Sequence, residues 1–309
     1  MSGQRASGHR VEHVSLDPSA LAAIGDLELV SRRVVDGTIS GLHRSPFHGY
    51  SAEFSQYRHY RPGDDLKYID WKLFARTDRL YTKQFRETTN LVCQIALDAS
   101  ASMDYAGGGG VTKFQYARLL AGALAHLVSR QGDAVGLVAY ADKVKQYLPS
   151  RGGQAHLRSV LLSLSRAEPA GTTDGAAALA RTIDLLKRRG LLVVISDLYD
   201  ERDLVERALM RAAHIGHELV VFHVLTRDEV ELPFRDDVEL EDPETGDRVH
   251  ANGPSAVRPY REAISAFLER WRTRCATYGI DYVRVFTDAP LETGLRAYLR
   301  RRAGGSVSG

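Results

Sequence analysis

Apolar residues acquire a regular rhythm only after residue 90. From there, apolar runs of strand length alternate with segments in which apolar residues recur every three or four positions. LVCQIALD (91–98) reads as a buried strand, and Phe114, Ala117, Ala121, Leu124 and Val128 share one helix face. AVGLVAYA (134–141) and VKQYLP (144–149) read as strands, 156–165 and 175–189 as helices, and LLVVISD (191–197) as a very apolar strand. A helix over 201–214 leads into the strand ELVVFHVL (218–225). Ile264, Phe267, Leu268, Trp271 and Cys275 mark another helix, DYVRVFTD (281–288) a last strand, and 291–299 a closing helix. Strands that are apolar throughout and alternate with amphipathic helices predict an α/β fold, a doubly wound, mostly parallel sheet covered on both faces.

Two stretches break the rhythm. Residues 1–16 are polar, and Asp17-Pro18 then opens a helix carrying Leu21, Ile24, Leu27 and Val34 as far as Asp36-Gly37. Residues 37–90 interleave aromatics with arginines and predict a small unit of short elements. It has a turn at Pro62-Gly63, a short helix capped by Asp65 and carrying Leu66, Ile69 and Leu73, and a strand near 80–86. The second stretch, 229–253, alternates apolar and polar residues around 243–246 and predicts an exposed hairpin. The expected organisation is a mobile N-terminus (1–16), a helix plus small subdomain (17–90), the α/β domain with its insertion (91–302), and a mobile tail (303–309).

Composition narrows the function classes. The chain has 309 residues, 44% hydrophobic and 26% charged, with a net charge of +2. That balance gives no global pull toward nucleic acid or a membrane surface. No apolar run approaches the roughly 20 residues of a membrane helix, and the N-terminus lacks the apolar core of a signal peptide. Cys93 and Cys275 form no CxxC pair and no disulfide framework. A soluble, cytoplasmic protein is expected. The four glycines at 107–110 are a loop without the ending of a phosphate-binding loop, because Lys113 is followed by Phe114.

In an open parallel sheet, ligands sit at the carboxyl ends of the strands. Three such ends stand out. Asp98, Ser100 and Ser102 alternate in DASAS, so an extended turn can aim their oxygens to one side. GTTDGAAAL (171–179) offers Thr172, Thr173 and Asp174, and ISDLYD (195–200) ends a strand on Asp197. Each taken alone is a helix cap. Together they supply two carboxylates and several hydroxyls with no soft ligand, a donor set suited to Mg²⁺ or Mn²⁺.

DxSxS, a G-x-T segment and a strand ending in SD, in that order, resemble the von Willebrand factor A domain. The resemblance implies a metal-ion-dependent adhesion site. Ser100, Ser102 and Thr173 would ligate the ion, with Thr172 as the alternative threonine, and Asp98 and Asp197 would hold it directly or through water. An acidic residue of a partner would complete the coordination. Upstream, the run from Ser45 to Arg76 resembles the signature of the domain-of-unknown-function-58 family. It carries Gly49, Glu53, Phe54, Arg58, Tyr60, Pro62 to Asp65, Ile69 to Trp71 and Ala75-Arg76. That resemblance implies work alongside a MoxR-type AAA+ ATPase in chaperone-like maturation or stress response.

Other readings stay open. Glu53, Arg58, Arg61, Asp64, Asp65, Asp70 and Arg76 supply both signs of charge, so a structural ion-pair network around Trp71 is favoured. A docking surface for the ATPase is the functional alternative, and the interleaved acids argue against nucleic acid. The runner-up activity is a metal-dependent hydrolase or phosphatase with Asp98 as nucleophile. Against it, Ser100 stands where a second carboxylate is expected, and no lysine is evident in the loops.

Overall fold

The computed structural model describes residues 17–23, 25–39, 52–61, 64, 69–87, 91–171, 175–186, 188–199, 203–233, 238–241, 248–251 and 253–305. Two helices come first, α1 (Pro18–Ala23) and α2 (Leu27–Ile39). The single helix expected here is therefore broken. Asp17 caps the first piece through Ser19 N (3.2 Å), and Asp26 opens the second with a new cap on Leu29 N (3.1 Å).

An antiparallel hairpin follows, β1 (Ala52–His59) and β2 (Tyr81–Glu87), with α3 (Trp71–Thr77) in its connection. The helix expected to start at Asp65 does not run on through Ile69, and α3 begins at Trp71. Ile69 is extended and bridged to Thr82, and Asp70 is the cap, accepting from Lys72 N and Leu73 N at 3.0 Å each. Asp65 and Leu66 lie outside the described residues.

The alternation then runs β3 (Val92–Asp98), α4 (Lys113–Arg130), β4 (Ala134–Tyr140), β5 (Val144–Arg151), α5 (Gln154–Arg166), α6 (Gly175–Leu185) and β6 (Leu191–Ser196). It continues with α7 (Leu204–His214), β7 (Glu218–Leu225), α8 (Arg227–Glu231), β8 (Val238–Glu241), β9 (Arg248–Ala251), α9 (Gly253–Thr277), β10 (Asp281–Phe286) and α10 (Leu291–Gly305). β8 and β9 pair antiparallel, as the alternation predicts. The start of that stretch is different: Glu229 lies in a helical turn, because Thr226 and Glu229 form a reciprocal capping box. The turn expected at 243–246 lies outside the described residues.

The main sheet has the order β10-β7-β6-β3-β4-β5 and is parallel except for β5, which hairpins back onto β4. One face is covered by α1, α2, α4, α5 and α10, which pack with Cys93, Ile95 and Leu97 of β3. The other is covered by α6, α7 and α9, packed with Ala96 and Val194. This is the doubly wound, mostly parallel architecture expected from the sequence. α2 belongs to the same core as α4, through Val30, Val34 and Val35. The chain leaves β3 in one direction to build β4 and β5, then crosses back to build β6, β7 and β10. The switch point therefore lies between β3 and β6, where such sheets form a crevice.

Candidate metal centre

β3 and β6 run in parallel register, with Leu97 opposite Ile195. One residue further on, Asp98 stands beside Ser196, whose hydroxyl donates to Asp98 Oδ2 at 2.6 Å. The other oxygen, Oδ1, accepts from Ser100 N at 2.9 Å and so folds the chain into a tight turn. A single 3-10 turn over Ala101–Asp104 follows, anchored by the buried Met103. The turn brings Ser100 Oγ and Ser102 Oγ to 3.0 Å from each other. The neighbouring loop is tied to this one by Ala101 N to Gly171 O (3.1 Å) and Ala170 N to Ala99 O (3.0 Å), and Lys145 Nζ bonds Ala170 O. Gly171 has φ +90, a left-handed conformation suited to glycine, and a side chain there would press on Asp142.

Asp98, Ser100 and Asp197 are all buried. Burial, and then the neighbouring Asp197 charge, push Asp98 up to about 6 from its ordinary 3.8, against the pull of the hydrogen bonds from Ser196 and Ser100. His223 of β7 is also fully buried. Burial drives its imidazole down to about 3, so it is neutral and adds no positive charge, and its Nδ1 pairs with the Tyr282 hydroxyl at 2.7 Å.

The compensating cation is one that sequence reasoning passed over. Lys113, the first residue of α4, is 1% exposed. Its ammonium donates to Asp197 Oδ2 at 2.7 Å and to Glu229 Oε1 at 2.5 Å. It sits 5.1 Å from the centre of the Tyr199 ring, which stacks on Phe267. Glu229 is itself fixed. Its Oε2 accepts from Thr226 N at 2.7 Å, and its carbonyl accepts from the Tyr260 hydroxyl at 2.6 Å. A lysine does therefore reach the site, from the first turn of α4 rather than from a loop. A lysine opening a mostly apolar helix was the available signal, because a cation is unfavourable at a helix N-terminus.

The described donors fit a hard divalent ion on two counts. Adjacent octahedral ligands at about 2.0–2.1 Å from Mg²⁺ stand about 2.9 Å apart, close to the 3.0 Å between the two serine hydroxyls. Asp98, Asp197 and Glu229 share one buried ammonium, Lys113, with the exposed Lys145 ammonium on the Ala99 and Ala170 carbonyls beside them, so carboxylates outnumber cations here. Among the described residues no group of three or more His, Cys, Asp or Glu is placed to hold a metal. Thr172, Thr173 and Asp174 lie outside the described residues, bracketed by Gly171 and the start of α6 at Gly175.

The second predicted cluster is assembled differently from the expectation. Arg58 donates to both oxygens of Asp64 (2.7 and 2.9 Å), and Arg61 contributes its backbone N–H (2.9 Å). Asp70 caps α3 and accepts from the Tyr57 hydroxyl at 2.9 Å. Trp71, expected at the centre of a network, is 59% exposed and meets Phe74 edge-on. The indole opens a helix of seven residues whose partly buried face is formed by Leu73 and Phe74, so it turns outward. Arg76 is exposed in the last turn of α3, the Glu53 side chain is not described, and Asp65 lies outside the described residues.

Residues 56–270 match the family described as "Protein of unknown function DUF58". An uncharacterized protein of Mycobacterium tuberculosis, Rv1480, is 32% identical over 236 residues, covering 74% of this chain and 73% of that protein. YeaD of Bacillus subtilis is 27% identical over 137 residues, covering 44% of this chain and 31% of YeaD. Among solved structures, an aerotolerance-related membrane protein from Bacteroides fragilis aligns with a TM-score of 0.45 at 16% identity, over 69% of this chain and 98% of that one. BatB from Bacteroides thetaiotaomicron aligns with a TM-score of 0.44 at 17% identity, over the same shares.

Proposed function

This chain belongs to the DUF58 family, and on that premise we propose that it is a non-enzymatic, divalent-cation-dependent protein-binding module. Asp98, Ser100, Ser102, Thr173 and Asp197 hold Mg²⁺ or Mn²⁺, with Thr172 as the alternative threonine. Once bound, the ion offers an open position to a carboxylate of a protein partner. The chain's own residues do the rest. The Asp98–Ser100 turn orients the hydroxyls, Ser196 fixes the Asp98 carboxylate, and Lys113 fixes one oxygen of Asp197. The observation that carries this reading is the buried carboxylate pair Asp98 and Asp197 with two serine hydroxyls 3.0 Å apart, placed at the switch point of the sheet.

The partner in this reading is a MoxR-type AAA+ ATPase, or a client handled with it in chaperone-like maturation or stress response, in the cytoplasm. No described helix is long and apolar enough to cross a membrane. Cys93 and Cys275 are buried free thiols, as a reducing compartment favours.

A phosphatase is the second reading, and Lys113 now gives it a buried cation bonded to Asp197. Against it, both Asp98 oxygens already accept hydrogen bonds, and Ser100 stands where a general acid belongs. The deciding experiment is Mg²⁺ titration by calorimetry, followed by affinity capture from the native host with Mg²⁺ or EDTA. Equal capture in both would overturn the binding reading. Turnover of a phosphate ester that is lost in Asp98→Asn would favour the phosphatase.

A further inference from the structure

Lys113 is oddly placed for a structural cation. It is buried, and it begins an 18-residue helix whose N-terminal dipole repels positive charge. Replacing a whole buried ion pair by apolar groups is often neutral or stabilising, so stability alone does not account for the pairing. Its two partners come from distant parts of the chain. Asp197 ends β6 in the candidate ion site, and Glu229 lies in α8 at the root of the β8–β9 insertion. The same segment receives the glycine-rich loop, whose Gly108 N donates to Asp228 Oδ2 at 2.6 Å. The ammonium is thus the one described side chain bonded to both an ion-site carboxylate and the insertion.

We propose that Lys113 is an internal competitor of the divalent ion for Asp197, and that through Glu229 it links ion binding to α8. The inference rests on the ion-binding reading above. A divalent ion and an ammonium drawing on one carboxylate repel each other. Ion binding therefore weakens the Lys113–Asp197 bond and shifts the ammonium toward Glu229. By reciprocity, whatever tightens the hold of Glu229 on Lys113 strengthens ion binding. Lys113 is a positioning and affinity-setting residue here, not an ion ligand.

The competition predicts effects of opposite sign, which a purely structural role does not. Lys113→Met and Lys113→Gln bind Mg²⁺ at least tenfold more tightly than wild type in calorimetric titration. Glu229→Gln binds it severalfold more weakly, because the ammonium then has only Asp197 to pair with. In the Lys113→Met background, Glu229→Gln has little further effect, since it acts through the lysine. Hydrogen exchange supplies a readout beyond affinity: Mg²⁺ slows exchange over residues 226–231 in wild type and leaves it unchanged in Lys113→Met. Thermal melts confirm that each variant is folded, and Lys113→Arg, which keeps the charge, is expected to retain weak binding. If wild type binds Mg²⁺ and both neutral variants bind equally or more weakly, the competition is wrong and the ion site stands. If neither wild type nor the neutral variants bind Mg²⁺, the ion reading falls and takes this inference with it. Binding by the neutral variants alone would be the strongest support for competition.

Discussion

Two groups of aspartates show how the same side chain is put to different uses in one chain. In the hairpin unit, Asp64 is matched by Arg58 and the Arg61 backbone, and Asp70 by three donors. The Arg61 N–H, with the Arg58 guanidinium, holds Asp64 below the ordinary carboxylate range despite partial desolvation. At the switch point, Asp98 is buried against Asp197 and is pushed up instead. The hairpin carboxylates are matched by a guanidinium or by cap donors, whereas Asp98, though hydrogen-bonded by Ser196 and Ser100, lies buried beside a second carboxylate, the arrangement that the proposed ion would relieve.

The comparison breaks most decisively at Asp98. Asp98→Ala is expected to abolish Mg²⁺-dependent partner capture while the fold, checked by circular dichroism, persists. Capture that survives the substitution would place Asp98 with the structural aspartates.

The pH dependence of stability comes next and has opposite signs in the two regions. Asp98 is raised, so the native state binds more protons than the unfolded chain between pH 3.8 and about 6. In EDTA this group costs stability as pH rises through that window, about 1.4 kcal/mol per unit and roughly 3 kcal/mol in total. Saturating Mg²⁺ should cancel the loss, as seen in denaturant titrations of wild type against Asp98→Asn. Asp64 is lowered, so its contribution is present above its ordinary value and disappears as pH falls below it, with or without Mg²⁺.

Smaller effects belong to the hairpin unit. Asp70→Ala removes the cap of α3 and should cost about 1 kcal/mol, independent of Mg²⁺. Trp71→Ala should change stability by less than about 0.5 kcal/mol, because the indole is largely exposed. A cost of several kcal/mol in a chemical melt would restore the buried network that the sequence suggested.

The sheet was readable because a strand buried on both faces must be apolar throughout, as LLVVIS is, and because helix faces repeat at 3.6 residues. Asp98, Ser100, Ser102 and Asp197 were readable because a parallel sheet brings strand ends to one edge. Local competition defeated the sequence elsewhere. Gly25-Asp26 restarts a helix, Asp70 caps a helix that begins only at Trp71, and the Thr226–Glu229 capping box overrides an alternating pattern.

The sequence by itself determined the doubly wound class, the family and the polar turn that follows β3, since each depends on local pattern or short spacing. The tertiary structure alone decided that Ser196 holds Asp98 and that Lys113 joins Asp197 to Glu229, across separations of 84 and 116 residues. Those pairings follow from strand order and register, which bring distant charges into one dry space, where the absence of water forces them to find one another.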